Sequence, residues 1–295
     1  MRASARIALA ASLAPALALA GCSLFPTTRH LPVPKAPELV QSETPDQLVA
    51  LVDQRWNDLH SLTATVDIQA TALKVIDSEA TTYPKVRAQI VIGKPDSLRV
   101  YGTFFGVEAF DMASDGEDFT LKIPSKGVAY EGSDAAKGTS KNTWENLRPP
   151  FFFNAMVVRG VDPGNHYFVT TNTATMEDVK KKHLISVPEY ILNVNRVSPD
   201  SPQETAVRVI TFHRDDMLPY EQEIYDKDGN PETHVTYGTY ASFNGVQYPS
   251  AITIRNPEAG IELVLTVEAV HENVPVKEDQ FVVGVPKGIK IVHLP

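Results

Sequence analysis

The sequence predicts a mainly β protein with a few helices and antiparallel strands. Three observations carry this. Apolar and polar side chains alternate with period two in runs scattered from residue 62 to residue 270. Turn signals such as Gly93-Lys94-Pro95-Asp96 and Ser114-Asp115-Gly116 separate those runs. No run is followed by a helical crossover, so parallel pairing is not expected. About ten to eleven strands are expected from the spacing of the runs.

The chain opens on a different pattern. Met1, Arg2 and Arg6 form a short basic segment, and an uncharged, alanine-rich apolar run follows from Ile7 to Ala20. A basic start, an apolar stretch and small residues at its end are the layout of a secretory signal peptide, here residues 1–21. The run falls short of the roughly 20 residues that span a bilayer. It ends in Leu19-Ala20-Gly21-Cys22, and Cys22 is the only cysteine of the 295 residues. A lone thiol closes no intramolecular disulfide and builds no thiolate metal site. The four residues resemble the bacterial lipobox, which implies a covalent diacylglycerol and an N-acyl group on Cys22 after cleavage. The alternative is an ordinary secreted protein cut after Gly21 with a free thiol left over. Acyl chains contribute about 0.8 kcal/mol per buried methylene and together hold a protein firmly to a membrane. Ser23, not Asp, follows the cysteine, and the lipobox resemblance then implies a lipid anchor in the outer membrane, on its periplasmic face.

Residues 22–43 hold Pro26, Pro32, Pro34 and Pro37 without an apolar period and are expected to be a lipidated N-terminus and proline-rich tether. Thr44-Pro45-Asp46-Gln47 is a helix start with a capping box. Leu48, Leu51, Val52, Trp56 and Leu59 then make an apolar stripe, expected to lie on the strands that begin at once. Leu62, Ala64, Val66, Ile68 and Ala70 alternate with Thr63, Thr65, Asp67, Gln69 and Thr71, a strand apolar on one face. Val86, Ala88, Ile90 and Ile92 repeat the pattern, Leu98 to Tyr101 continue it, and strands are expected near 107–113, 117–123 and 126–131. A polar stretch, Gly132 to Asn142, interrupts the sheet. Trp144 to Val158 has helical character, broken at Arg148-Pro149-Pro150. Alternation then resumes, with a hairpin of 219–226 and 232–240 and a last clear pair of 246–255 and 260–270.

Chemistry is sparse. The net charge of −9, two units more negative once Arg2 and Arg6 are removed, argues against a nucleic-acid partner. Asp226, Asp228 and Asn230 have the spacing of a calcium loop, but Pro231 stands where that loop needs glycine, so a hairpin turn is expected. His213-Arg214-Asp215-Asp216 places a base beside carboxylates without a nucleophile motif, and Lys180-Lys181-Lys182 is a short basic turn. No metal spacing, phosphate loop or dinucleotide fingerprint is present in the sequence. The expectation is a protein that is not an enzyme, with no catalytic residue, metal or cofactor beyond the acyl groups.

Tyr101-Gly102-Thr103-Phe104-Phe105-Gly106-Val107 carries more information. Adjacent residues of an extended chain point opposite ways, so Phe104 and Phe105 are awkward to bury together. Either both pack beneath the loop, or at least one is exposed and touches lipid or membrane. Phe110 and Met112 share one strand face, as do Phe119, Leu121 and Ile123, and Leu263, Leu265 and Val267. These faces are expected to point inward at the helix carrying Phe152 and Met156, some of them lining a groove.

In order along the chain, "SLTATVDIQA", "PDSLRVYGTFFGVEAFDMASDGEDFTLKIPSKGVAYEG", "AMVVRGVDP", "YGTYASFNGVQYPSAITIRNPEAGIELVLTVEAV" and "FVVGVPKGI" resemble the LolA/LolB group of periplasmic lipoprotein carriers and receptors, LolB-like outer-membrane lipoproteins above all. The resemblance implies that residues 44–295 are one lipid-binding domain: an incomplete, half-open antiparallel β-barrel, helices over its open side, and an apolar cavity for acyl chains. It also implies that Phe105, just before Gly106, protrudes and helps deliver lipoproteins to the membrane. The implied partners are the outer membrane, lipid or lipoprotein acyl chains, and a periplasmic LolA-like carrier. The alternative is a structural or interaction lipoprotein of the cell envelope whose core is filled and which carries no cargo. This chain is longer than the group's pattern, with a larger middle section, and 198–203 has no counterpart in it.

Overall fold

The computed structural model describes residues 40–74, 79–136, 140, 143–178, 183–198 and 201–294. Cys22, most of the 22–43 tether and Lys180-Lys181-Lys182 lie outside the described residues. Helix α1 (Pro45–Asp58) leads into β1 (Ser61–Lys74), whose end pairs with the short β2 (Glu79–Thr82). Successive hairpins give β3 (Val86–Gly93), β4 (Ser97–Phe104), β5 (Val107–Ser114), β6 (Asp118–Ile123) and β7 (Val128–Ser133). After α2 (Pro149–Met156) come β8 (His166–Asp178), β9 (His183–Ser198), β10 (Ser201–His213), β11 (Pro219–Tyr225) and β12 (Pro231–Tyr237). The chain closes with β13 (Tyr240–Phe243), β14 (Val246–Pro249), β15 (Ala251–Asn256), β16 (Ile261–Glu272) and β17 (Lys290–His293). Residues 175–186 fall in a separate unit, of which the strand ends 175–178 and 183–186 are described.

One large, curved sheet runs in the order β17-β7-β6-β5-β4-β3-β1-β16-β15-β12-β11-β10-β9-β8, and β13 pairs with β14 apart from it. The pairings from β7 to β9 are antiparallel. No pairing joins β8 to β17 among the described residues, so the sheet is not closed into a barrel. The half-open, mostly antiparallel sheet expected from the sequence is present.

Four expectations need correcting. The described strands number seventeen, more than the ten to eleven expected. The run 246–255 is two strands, because Pro249 has no N–H for a ladder and the chain passes between sheets at Ser250. β17 lies parallel to β7, pairing Lys290 with Val128; the intervening chain serves as the long crossover that parallel pairing needs. And α1 does not lie on β1. Its Leu48, Val49 and Val52 pack with Tyr190, Leu192, Val194, Ile210 and Phe212 of β9 and β10. The capping box at Thr44 and Gln47 is present.

The inner face of β1 is covered instead by α2. Leu62, Ala64, Val66 and Ile68 are buried with Ile90, Ile92 and Val100 across the sheet and with Phe151, Phe152, Phe153 and Met156 of α2. A helix apolar on nearly all sides belongs in a core. The expected helix from Trp144 to Val158 is divided: a 3-10 turn spans Thr143–Asn146, and α2 begins at Pro149. A residue before proline avoids helical angles, and Arg148 is extended with φ −128° and ψ 143°.

Candidate functional site

β4 and β5 are joined by the two-residue turn Phe105-Gly106, with φ of +48° and +79°. Positive φ at both central residues is the turn whose twist suits a hairpin, and its first position usually carries Asn, Asp or Gly. A phenylalanine in left-handed backbone is unusual. Its ring is held off the sheet: Phe105 is 92% exposed, Val107 70% and Phe104 42%. The Phe104 and Phe105 rings touch edge to face at 4.6 Å between centroids. Both rings are therefore outside the core. Gly102 has a different role. It takes no left-handed conformation, and a Cβ there would stand 2.4 Å from the ring of Phe110, its cross-strand partner. The missing side chain makes room for that ring.

Behind this hairpin lies an apolar cavity of about 530 Å³. Ile68 and Ala70 of β1, Phe110 of β5, Leu121 and Ile123 of β6, and Leu263 of β16 form the sheet wall. Leu147 and Phe152 face it from the helical side, Tyr83, Pro84, Trp144, Phe104, Phe105 and Val107 add to the lining, and Glu108, Ser125 and Lys126 are its charged and hydroxyl-bearing members besides Tyr83. The cavity is thus enclosed by elements from residue 68 to residue 263, brought together by the β1–β16 and β1–β3 pairings.

Of the residues expected to line a groove, Phe110, Leu121, Ile123, Phe152 and Leu263 do so. Met112, Leu265 and Val267 do not: they are packed in the core, Met112 and Leu265 without any exposure. The reason is position along the strand. Leu263 pairs with Ala70, Leu265 with Ile68 and Val267 with Val66, so each step along β16 leads away from the Ala70 end of the cavity wall. Phe119 likewise leaves the site; it is buried near Gly132, with the Arg148 guanidinium 5.2 Å above its ring. Met156 borders a second cavity, of about 550 Å³, with Leu62, Tyr237 and Tyr248. Ile68 and Ala70 share the alternating face that the sequence displays, whereas Tyr83 and Trp144 sit in connections that carry no periodic signal.

Two charged residues, Glu108 and Lys126, line the otherwise mostly apolar cavity. Glu108 is held by Lys122 at 3.0 Å, and Lys122 also approaches Asp111 at 3.8 Å. Arg99 grips Asp111 with two hydrogen bonds of 3.0 Å, which raise the guanidinium above its ordinary range. Lys126 lines the mouth, its ammonium 5.8 Å from the centroid of the Trp144 ring. The tyrosines at the second cavity are structural. Tyr248 donates to the Met156 carbonyl at 2.5 Å, Gln222 donates to the Tyr237 hydroxyl, and burial pushes both phenols upward. His213 stacks on Tyr220 at 3.5 Å, and its imidazole is pushed below its ordinary range by burial. Asp226 accepts from the backbone of Asp228 and Asn230, the self-bonding of a hairpin turn. No group of side chains able to hold a metal occurs among the described residues, and no described helix is long and apolar enough to cross a membrane.

An unclosed antiparallel sheet with an apolar cavity between its inner face and a buried helix defines a binding fold of the hollow, half-barrel kind. Neither the protein-family profiles nor the curated proteins give a match to the chain. Solved structures do. The chain is similar in fold to a DUF1329 family protein from Desulfovibrio piger, at 11% identity and a TM-score of 0.52, covering 81% of this chain and 95% of that one. A LolA superfamily protein from Nitrosomonas europaea aligns at 14% identity and a TM-score of 0.47, over 82% and 98% of the two chains. At 11% identity the likeness to the Desulfovibrio piger protein is one of fold alone.

Proposed function

We propose that this chain is a lipid-anchored protein of the outer membrane, facing the periplasm, that takes acyl chains of lipids or lipoproteins into its cavity and passes them to a membrane. It is a carrier or acceptor and not an enzyme. Acylated Cys22 holds it in place, and residues 22–43 tether the folded part. A periplasmic LolA-like carrier is the partner from which cargo arrives.

The observation that supports this reading is the pairing of an open apolar cavity with Phe105 at its lip. A cavity walled mostly by side chains such as Ile68, Leu121, Phe152 and Leu263, with Glu108, Ser125 and Lys126 its only charged or hydroxyl-bearing lining residues apart from Tyr83 among those described, favours hydrocarbon. Transfer then needs no covalent chemistry, since moving an acyl chain from water to apolar walls is favourable by itself. A filled core, as in a purely structural lipoprotein, would leave no such space. At the lip, Phe105 combines backbone strain with nearly full exposure. Burying its ring in a bilayer stabilises contact by about 1.5–3 kcal/mol, enough for transient docking of a protein anchored elsewhere.

The test is transfer of a fluorescent lipid from the protein to acceptor vesicles. Phe105→Glu is expected to slow delivery while leaving circular dichroism and lipid loading unchanged. Unchanged delivery by a folded Phe105→Glu protein would remove the hairpin from the mechanism.

A further inference from the structure

Size, wall chemistry and charge at the cavity together bear on its occupant, and the inference rests on the reading that acyl chains enter it. A methylene fills about the space of a water molecule, roughly 30 Å³. A cavity of about 530 Å³ therefore takes on the order of eighteen methylenes. That is one long acyl chain. The two chains of a phospholipid, or the three of a triacylated protein N-terminus, exceed it.

The walls change character in one direction. The interior is mostly hydrocarbon, and besides Glu108 of β5 the charged lining comes where β6 leaves the sheet: Ile123 is followed by the exposed 3-10 turn of Pro124, Ser125 and Lys126. The charge there is positive. The carboxylate of Glu108 is taken up by Lys122 at 3.0 Å, whereas Lys126 forms no ion pair with a carboxylate among the described residues and leans over Trp144. Lys85, between the lining residues Pro84 and Val86, is a second exposed ammonium on the same connection as Tyr83. In a chain of net charge −9, exposed ammoniums beside a cavity whose lining carboxylate, Glu108, is paired with Lys122 are a departure that an anionic group matches.

We propose that the cavity is a site for a single-chain amphiphile with an anionic headgroup, its chain among Ile68, Leu121, Phe152 and Leu263 and its headgroup on Lys126. A long-chain carboxylate and a monoacyl phospholipid with an anionic head share this chemistry.

The experiment loads the full mature chain with a fluorescent single-chain fatty acid. Displacement is then measured with palmitate, monoacyl phosphatidylglycerol, monoacyl phosphatidylcholine and diacyl phosphatidylglycerol, the monoacyl lipids below their critical micelle concentrations. Palmitate and monoacyl phosphatidylglycerol are expected to displace the probe, the tighter of the two naming the source, and the diacyl lipid is expected to fail. Lys126→Glu should weaken palmitate about tenfold, through loss of one exposed attraction and gain of one repulsion. Lys126→Gln should do so to a smaller extent, and Lys227→Glu, on the β11–β12 turn, should have no effect. Displacement by the diacyl lipid as strong as by palmitate overturns this inference and leaves the acyl-chain reading standing. Equal palmitate affinity in Lys126→Glu overturns the headgroup assignment. Failure of every lipid, with no uptake of the probe, overturns both.

Discussion

Phe105→Asn separates folding from membrane contact, because the two respond with opposite signs. At φ +48° a phenylalanine is strained, whereas asparagine is among the residues that enter left-handed backbone readily. Left-handed non-glycine residues cost on the order of 1–3 kcal/mol, part of which asparagine recovers. Little burial is lost, since the ring is 92% exposed. What is lost is the edge-to-face contact with Phe104 at 4.6 Å, worth about 0.5–1.5 kcal/mol. The balance is a variant between equally stable and about 1 kcal/mol more stable, which corresponds to a rise of up to about 2–4 °C in Tm for a domain of this size. On the membrane side the variant forgoes about 1.5–3 kcal/mol of ring burial, so partition into vesicles should fall roughly ten- to a hundredfold. Both quantities are measured on unacylated protein carrying Cys22→Ser, by thermal unfolding and by co-sedimentation with vesicles. Destabilisation beyond about 1 kcal/mol would mean that the Phe105 ring supports the fold. Unchanged partition would mean that it does not touch the bilayer.

Three further expectations concern the walls and the sheet. Leu121→Trp places a ring into open cavity and should weaken lipid binding with a small stability change, whereas Met112→Trp, in solid core, should cost about 1–3 kcal/mol by overpacking; equal cost at both sites, by urea denaturation, would contradict the cavity's being open. Gly102→Ala forces a Cβ against Phe110, 2.4 Å away, and should cost about 1–3 kcal/mol, partly restored by Phe110→Leu in the same chain; full additivity of the two changes would show that the close approach is not the cause. His213 is pushed below its ordinary range by burial, so below about pH 6.5 the unfolded chain takes up a proton that the folded one resists, and stability falls with pH. His213→Phe keeps the stack on Tyr220 and should flatten that decline between pH 7.5 and 5.5; identical urea midpoint shifts in both proteins would contradict the assignment.

The sequence displayed the sheet better than its connections, for physical reasons. Period two exposes which face of β1 or β16 is buried, because every second side chain meets the same environment, and the alternation of Ile261 to Val267 is reproduced in their burial. It does not say how far along a strand the packing stays solid. Leu263 and Leu265 look alike in sequence, yet one lines the cavity and the other is fully buried in the core. Helix placement was legible only locally. The α1 stripe was evident, but its partner, β9 and β10, lies more than a hundred residues away in sequence. Two adjacent phenylalanines between glycines left open whether both rings pack or one is exposed, and the left-handed backbone at Phe105 explains how its ring is held off the sheet. Trp144 and Tyr83 stand at the mouth by virtue of tertiary contacts between two irregular connections, 4.8 Å apart as a ring pair, which no local pattern encodes.

The central claim is that an acyl chain enters the cavity behind the β4–β5 hairpin, and Trp144 reports on it directly. The chain has two tryptophans, and Trp56 packs on Phe153 and borders the other cavity. In a Trp56→Phe protein, a stearate brominated at mid-chain should therefore quench the fluorescence of Trp144 on binding. The account predicts saturable quenching that unbrominated stearate reverses by competition and that Leu121→Trp, read through lipid binding, diminishes. Absence of quenching at lipid concentrations that saturate binding would place the chain outside this cavity and contradict the account.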